Sequence, residues 1–366
     1  MKLVRADDAG LAEAVRVLTG GGVAVVPTDT VYGLAAHPAF PEAVERLYAI
    51  KARAAKKPIA LLAADADAAA RFLGALDAQA RRLAERHWPG ALTQVLPVVG
   101  SAGVFEGLRV PDHAWTRRLL AACGGVLRVT SANMSGARPA TDAEAALGDV
   151  GLSADLVVDD GISPGGVAST VVKVADGQLS VLRYGPVDFL VLASGSPRRA
   201  KILEAAGVDF TVVKSEAPEV AYPHDPERTV SDNARAKADA VRATLPEGVR
   251  VLAADTIVWF DNTIYGKPRD LDEAKAFLRT LSGQTHTVFT GVAYGEDVRV
   301  VRSDVTFQRL SEAAIDAYVA RVRPTDRAGA YDIDESGSLI VASYAGEYEN
   351  IMGLPLAPLR EWGIVA

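Results

Sequence analysis

Cysteine is nearly absent from this chain of 366 residues: Cys123 is the only one. No internal disulfide and no cysteine metal site can form. Cys123 lies in the apolar run LLAACGGVL, which reads as a buried thiol. Long apolar runs are also missing, and none approaches the ~18 residues of a membrane span. The opening stretch MKLVRADDAG turns acidic too soon to read as a signal peptide. A cytoplasmic protein without membrane contact is therefore expected. Histidine is scarce, with five in all, and His37, His87 and His113 lack metal-ligand spacing. There is no internal repeat and no low-complexity tract. A global positive field is absent as well. Residues 1–187 carry 19 basic and 19 acidic side chains, and residues 188–366 carry 20 and 27, so the whole net charge of −7 falls in the second half. That balance argues against nonspecific nucleic-acid binding, but not against a local cluster of Arg and Lys around phosphates.

The length suits two domains, and the stretch from Val181 to Arg199 reads as the seam between them. Leu179 to Arg183 is expected as the last strand of one unit and Phe189 to Ala193 as the first strand of the next. Gly185-Pro186 separates them, because proline removes a backbone donor and Gly-Pro punctuates rather than continues an element. The expected domains are 1–187 and 188–366, both α/β.

In the first half, Asp7 to Thr19 reads as a capped amphipathic helix and Val23 to Val26 as a buried strand. The following Pro27-Thr28-Asp29-Thr30-Val31-Tyr32-Gly33-Leu34 is either the lining of a small polar pocket or a capped turn. A helix over Glu42 to Ile50 leads into Lys51-Ala52-Arg53-Ala54-Ala55-Lys56-Lys57-Pro58, and the apolar run Ile59 to Leu62 follows. Four cations between a helix and a buried strand suit a triphosphate clamp, although such runs also form solvated faces. Ala75 to Arg86 reads as one helix. A strand over Val126 to Val129 runs into Thr130-Ser131-Ala132-Asn133-Met134-Ser135-Gly136, a loop whose amides and hydroxyls can cradle phosphate. No Ser-His-Asp arrangement is evident here.

Taken in order, PTDTVYGL, KAR…KKP, PGALT, LRVP, TSANMSG, ASTVV and LRYG make residues 1–187 resemble the YrdC-like threonylcarbamoyl-adenylate synthases in their short form. The resemblance implies a twisted mixed sheet around a positively charged cavity. It implies that ATP, L-threonine and bicarbonate combine into threonylcarbamoyl-AMP with release of pyrophosphate, for tRNA modification. Thr28, Arg109 and Ser169 would meet threonine. Lys51, Arg53 and Lys57 would hold the triphosphate. Thr130, Ser131, Ala132 and Asn133 would frame the nucleotide, with Arg183 near ATP. A position near Lys57 that is often Asn in the family is Lys here, and the region of Leu62 is apolar where some longer relatives carry a threonine-side His. Such a reaction needs no protein nucleophile, only positioning and charge stabilisation. Proteins of tRNA modification are the implied partners.

In the second half, Ser194-Gly195-Ser196-Pro197-Arg198-Arg199 follows a strand and precedes a helix expected over Ala200 to Ala206, an arrangement suited to a polyphosphate. Ser231 to Leu245 reads as a helix carrying Lys237. Val251 to Val258 is a buried strand interrupted by Asp255. A charge there costs several kcal/mol unless compensated, which marks Asp255 as catalytic or metal-binding. LASGSPRR, ADTIV, GKPRD, LSGQTH, AGAY and NIMGLPL make residues 189–366 similar to the Maf family of nucleoside-triphosphate pyrophosphatases. The resemblance implies a mixed sheet with a deep cleft, like the inosine-triphosphate pyrophosphatases. It implies cleavage between the α and β phosphates with a divalent metal, magnesium or manganese. Asp255 would be the proton acceptor, with Asp255 and Glu219 at the metal. Ser194, Ser196, Arg198, Arg199, Lys237 and Lys267 would hold phosphates. Arg198, Thr256 and Asp334 would set base choice. Thr256 fits the subgroup acting on dTTP and UTP. Asp334 stands where that subgroup usually has Gln, and an ionised Asp cannot donate a hydrogen bond. Maf-like domains are often dimeric, so a homodimer through this half is an expected arrangement. The competing reading is a binding protein: an RNA-binding or regulatory first half joined to a non-catalytic second half that influences cell division.

Overall fold

A computed structural model describes residues 1–52 and 58–366. The chain divides into two compact units, Met1–Asp188 and Phe189–Ala366. Arg53 and Lys57 lie outside the described residues.

In the first unit, ten strands form one mixed sheet among the described residues: β1 (Lys2–Arg5), β2 (Val23–Val26), β3 (Gly33–Ala36), β4 (Leu61–Ala63), β5 (Leu92–Pro97), β6 (Phe105–Arg109), β7 (Val126–Ser131), β8 (Leu156–Asp159), β9 (Thr170–Ala175) and β10 (Gln178–Arg183). Their order is β1-β8-β2-β3-β7-β4-β6-β5-β9-β10. β2 and β3 are buried at every position, as unbroken apolar runs covered on both faces require. Helix Asp8–Thr19 is capped by the Asp7 carboxylate, which accepts from the Gly10 amide. The helix expected over Ala75 to Arg86 is Ala78–His87, and a further helix, Ala66–Leu73, precedes it. Asp65 and Asp77 each cap one of them, and Gly74 in a positive-φ conformation ends the first. Cys123 is buried and free.

The second unit is built on β11 (Leu190–Leu192), β12 (Phe210–Val212), β13 (Val251–Phe260), β14 (Thr263–Tyr265), β15 (Thr285–Tyr294), β16 (Asp297–Phe307) and β17 (Val341–Ala345). The order is β12-β11-β13-β15-β16-β17, with β14 paired to β13. β11, β12 and the start of β13 are parallel, whereas β13, β15, β16 and β17 form an antiparallel run. Two helices begin earlier than their apolar periodicity suggests. One starts at Pro197 and takes Arg198 and Arg199 into its first turn. The other runs over Pro226–Arg242, with Asp225 capping the Arg228 amide. Proline at the first helical position explains both starts, since its missing N–H has no intrahelical partner there.

That second helix lies close on the sheet because β15 carries Gly291. A Cβ there would stand 2.3 Å from the Val230 carbonyl oxygen. Gly291→Ala should push the helix off β15, lowering Tm by several degrees and reducing activity of this unit together with it; differential scanning calorimetry checks the first part. Among the described residues no helix is long and apolar enough to cross a membrane.

The core between β15, β16 and the 3₁₀ turn before Tyr331 holds His286, which is 1% exposed. Its Nε2 lies 3.0 Å from the Tyr331 hydroxyl, and its Nδ1 has no partner among the described residues. Burial lowers its pKa to about 4, because a second N–H would have no acceptor. The folded value lies below the ordinary one, so the neutral imidazole's contribution is full above about pH 6.5 and is lost as pH falls towards 4. Between pH 7 and 5, urea titrations should show about 2 kcal/mol more loss of stability in the wild type than in His286→Phe.

Candidate functional sites

In the first unit the residues form two groups. The first gathers on one end of neighbouring strands. The register pairs Leu108 with Gln94, Leu92 with Thr170, and Val171 with Arg183. This brings Arg109, Thr93, Ser169 and Arg183 to the same edge. Arg109 is 5% exposed. Its guanidinium pairs with the Asp29 carboxylate, donates to Thr30 Oγ1 at 2.7 Å and donates to the Gly90 carbonyl at 2.9 Å. Burial holds its pKa below the ordinary value; Asp29 opposes that shift and the Arg183 charge adds to it. Ser169 Oγ lies 2.8 Å from Thr93 Oγ1. Arg183 donates to the Ser169 carbonyl and to its hydroxyl at 3.1 Å. Thr28 turns inward: its hydroxyl donates to the Val31 carbonyl at 2.6 Å and accepts from the Thr30 and Val31 amides. Thr28 thus shapes the loop whose next two residues, Asp29 and Thr30, grip Arg109.

The second group lies at the far end of β7. Arg109 and Leu127 both pair with Leu62, and Ser131 is four residues further, about 13 Å along a strand. There Ser131 pairs with Gly33 and Thr130 with Leu34. The Ala132 amide donates to the Tyr32 carbonyl at 2.8 Å. Asn133 donates to the carbonyls of Met134 and Ala137. Lys51 is buried against this loop, its Nζ donating to the carbonyls of Ser131 and Asn133. The Lys51 ammonium therefore fixes the hydroxyl-rich loop, a tie its place in a cationic run does not reveal.

In the second unit a pocket of about 570 Å³ is lined by the SGSPRR turn, the 326–333 segment, and Lys237, Lys267 and Asp255. Asp255 lies on the central strand β13 opposite Gly291 and is 5% exposed. Two side chains converge on it. Lys237 donates to Oδ1 at 2.5 Å and reaches the Glu219 carboxylate at 2.6 Å. Asn233 donates to Oδ2 at 3.0 Å. Arg199 is pinned beside them: Nη1 donates to Ser194 Oγ at 2.9 Å, Nη2 to Thr256 Oγ1 at 3.0 Å and Nε to the Gly353 carbonyl at 2.8 Å. Burial lowers its pKa, against the charges of Asp255 and Glu219. Ser196 precedes the helix that begins at Pro197, and its amide donates to Ser194 Oγ at 3.2 Å.

Arg198 also lines the pocket, facing Asp332 at 3.4 Å. Asp332 accepts from Arg327 Nε at 3.0 Å and from the amides of Asp334 and Glu335. Burial pushes its carboxyl up, but these amides and guanidiniums outweigh burial and hold it below its usual range. Asp334 does not line the pocket. Its carboxylate is 2.8 Å from Lys201 Nζ and 3.4 Å from the Tyr348 hydroxyl. Thr256 lies in the lining and touches Thr290 Oγ1 at 3.0 Å.

Asn233 and Asp332 are the polar residues that sequence reasoning passed over. With the helix starting at Pro226, Thr229, Asn233 and Lys237 fall four apart on one face, so an extended helical pattern would have exposed the stripe. Among the described residues no group of three or more His, Cys, Asp or Glu converges as a metal site. Asp255 and Glu219 nevertheless already meet around one cation, the Lys237 ammonium. A magnesium-type ion needs only one or two carboxylates beside substrate phosphates, so this donor set fits it.

A family model described as "Maf-like protein" matches residues 189–362, and one described as "Telomere recombination" (Sua5, YciO and YrdC) matches residues 16–185. A dTTP/UTP pyrophosphatase of Bacillus cytotoxicus is 47% identical over 175 residues, covering 46% of this chain and 91% of that protein. The chain belongs to the Maf family. Its Maf unit carries a Sua5/YrdC domain before it. A second dTTP/UTP pyrophosphatase, from Bacillus cereus, is 46% identical over 176 residues, with coverage of 46% and 91%. A Sua5 from P. abyssi, crystallised with L-threonine, is similar to 59% of this chain and 84% of its own, at 22% identity and a TM-score of 0.47. The pocket around Asp255 lies within the Maf unit, and the Arg109 and Lys51 groups lie within the Sua5/YrdC domain.

Proposed function

We propose that the chain is a bifunctional enzyme. Its first unit joins L-threonine, bicarbonate and ATP into threonylcarbamoyl-AMP and pyrophosphate. Its second unit hydrolyses dTTP, UTP or related triphosphates to the monophosphate and pyrophosphate. One observation carries the second reading: a carboxylate buried in a central strand, met by an ammonium and an amide, inside a pocket rich in guanidinium and hydroxyl groups. Asp255 accepts the proton of the attacking water as its oxygen bonds to the α-phosphorus and the bond to the pyrophosphate oxygen breaks. Arg199, Lys267 and the SGSPRR amides hold the departing phosphates. Asp255 and Glu219 would hold the divalent metal, which neutralises phosphate charge when bound.

The first reading rests on the Asp29–Arg109–Thr30 cluster beside Ser169 and Arg183. Arginine is suited to recognising carboxylates, and the Asp29, Thr30 and Gly90 contacts fix the Arg109 guanidinium in place beside Ser169 and Arg183. The threonine amine bonds to the bicarbonate carbon with loss of water, giving a carbamate whose oxygen then attacks the α-phosphorus as the bond to pyrophosphate breaks, so positioning and charge carry the step. Pyrophosphate release from ATP should require threonine and bicarbonate together. Release from ATP alone at an equal rate would count against this unit's role.

The base preference follows the relatives' names, the Thr256 that succeeds Asp255, and the carboxylate in the pocket wall. Asp334 is engaged by Lys201, so Asp334→Asn should change the ratio of UTP to CTP turnover by less than about threefold. Asp332→Asn removes the charge that Arg198 faces and should change it about tenfold or more. Steady-state kinetics on a triphosphate panel reads both ratios.

A further inference from the structure

The segment from Lys214 to Asp225 has no helix or strand, yet it delivers Glu219 to the Asp255 pocket. Its backbone is held by two side chains from the helix over Pro226–Arg242. Thr229 Oγ1 accepts from the Tyr222 amide at 2.8 Å. Asn233 takes Val220 from both sides: Oδ1 accepts from the Val220 amide at 2.8 Å, and Nδ2 donates to the Val220 carbonyl at 2.9 Å. The same Nδ2 donates to Asp255 Oδ2 at 3.0 Å. Asn233 is 3% exposed, so these bonds form away from competing water and would be costly to leave unmade. One amide thus joins the residue after Glu219 to the carboxylate on β13. The next polar residue on the stripe, Lys237, bridges the two carboxylates.

We infer that Asn233 is a positioning residue of the pyrophosphatase: it sets the register of the 214–225 segment so that Glu219 and Asp255 face one cation. This rests on the proposed role of the Asp255 pocket. Asn233 reads Val220 as a strand partner would, through one donor and one acceptor, so a one-residue slip would break both bonds and carry Glu219 away. The phosphate-holding groups Arg199, Ser194 and Lys267 lie on other elements. Loss of Asn233 should therefore lower turnover and leave substrate binding nearly intact.

The test uses the full chain with Asn233→Ala and, separately, Val220→Pro, which deletes the Val220 N–H without touching the helix. UTP hydrolysis with magnesium should show kcat lower by about thirtyfold or more and KM within about threefold in both. Limited trypsin digestion gives a readout independent of turnover. Cleavage after Lys214, whose side chain is 72% exposed, should accelerate about tenfold while Tm stays within a few degrees of wild type. If Asn233→Ala does not fold, Val220→Pro decides by the same two readouts. The inference is overturned if kcat is unchanged, or if kcat, KM, Tm and cleavage throughout the unit shift together. Should the wild type hydrolyse no triphosphate, the function fails on its own, and the Lys214 cleavage rate still decides the tether.

Discussion

Asp255→Asn should lose about a thousandfold or more of triphosphate hydrolysis, the upper part of the range for removing a general base. The substitution is nearly isosteric. Lys237 keeps its contact with Glu219 at 2.6 Å, and Arg199 keeps Ser194, Thr256 and the Gly353 carbonyl. The fold should therefore persist, and UTP should still bind. What disappears is the group that takes the proton of water, together with half of the carboxylate pair. A merely structural Asp255 gives a different pattern: lowered Tm, raised KM and a kcat within about tenfold. Measuring kcat, KM and Tm on one preparation separates the two.

Arg109→Met should abolish threonine-dependent pyrophosphate release from ATP, by about a hundredfold or more, and leave UTP hydrolysis unchanged. It should also destabilise the first unit by about 2–4 kcal/mol, because Asp29, whose side chain is 11% exposed, is left as a largely buried charge without its partner. Arg109 is 5% exposed and also bonds Thr30 and Gly90, so water cannot readily replace it. The double variant Asp29→Asn/Arg109→Met removes the orphaned charge. It should recover much of the stability and none of the activity. Recovery of both would mean that the guanidinium serves the fold alone.

Asp255 was legible in the sequence because a carboxylate interrupts the apolar run VLAADTIV, and nothing about packing explains such a residue. The SGSPRR turn was legible for its strand-to-helix setting. Asn233 was hidden because a polar residue inside an expected helix reads as solvent-facing, and only with the helix starting at Pro226 does Thr229 join Asn233 and Lys237 on one face. Asp332 was hidden because only the fold brings Arg198 and Arg327 to it. Asp334, singled out from the motif, points to Lys201 instead of into the pocket. In the first unit, Arg109 and Arg183 are distant in sequence and meet through strand register alone. The helix over Ala66–Leu73 escaped notice because its buried positions are mainly alanines, which give little apolar periodicity.

The central claim is two separate active sites in one chain. The most direct measurement is pyrophosphate release by wild type, Asp255→Asn and Arg109→Met, each with magnesium, on UTP and on ATP with threonine and bicarbonate. The account predicts a crossed pattern: Asp255→Asn loses the UTP reaction and keeps the threonine-dependent one, and Arg109→Met does the reverse. Loss of both reactions in either folded variant, or no release by the wild type on either substrate set, would contradict it.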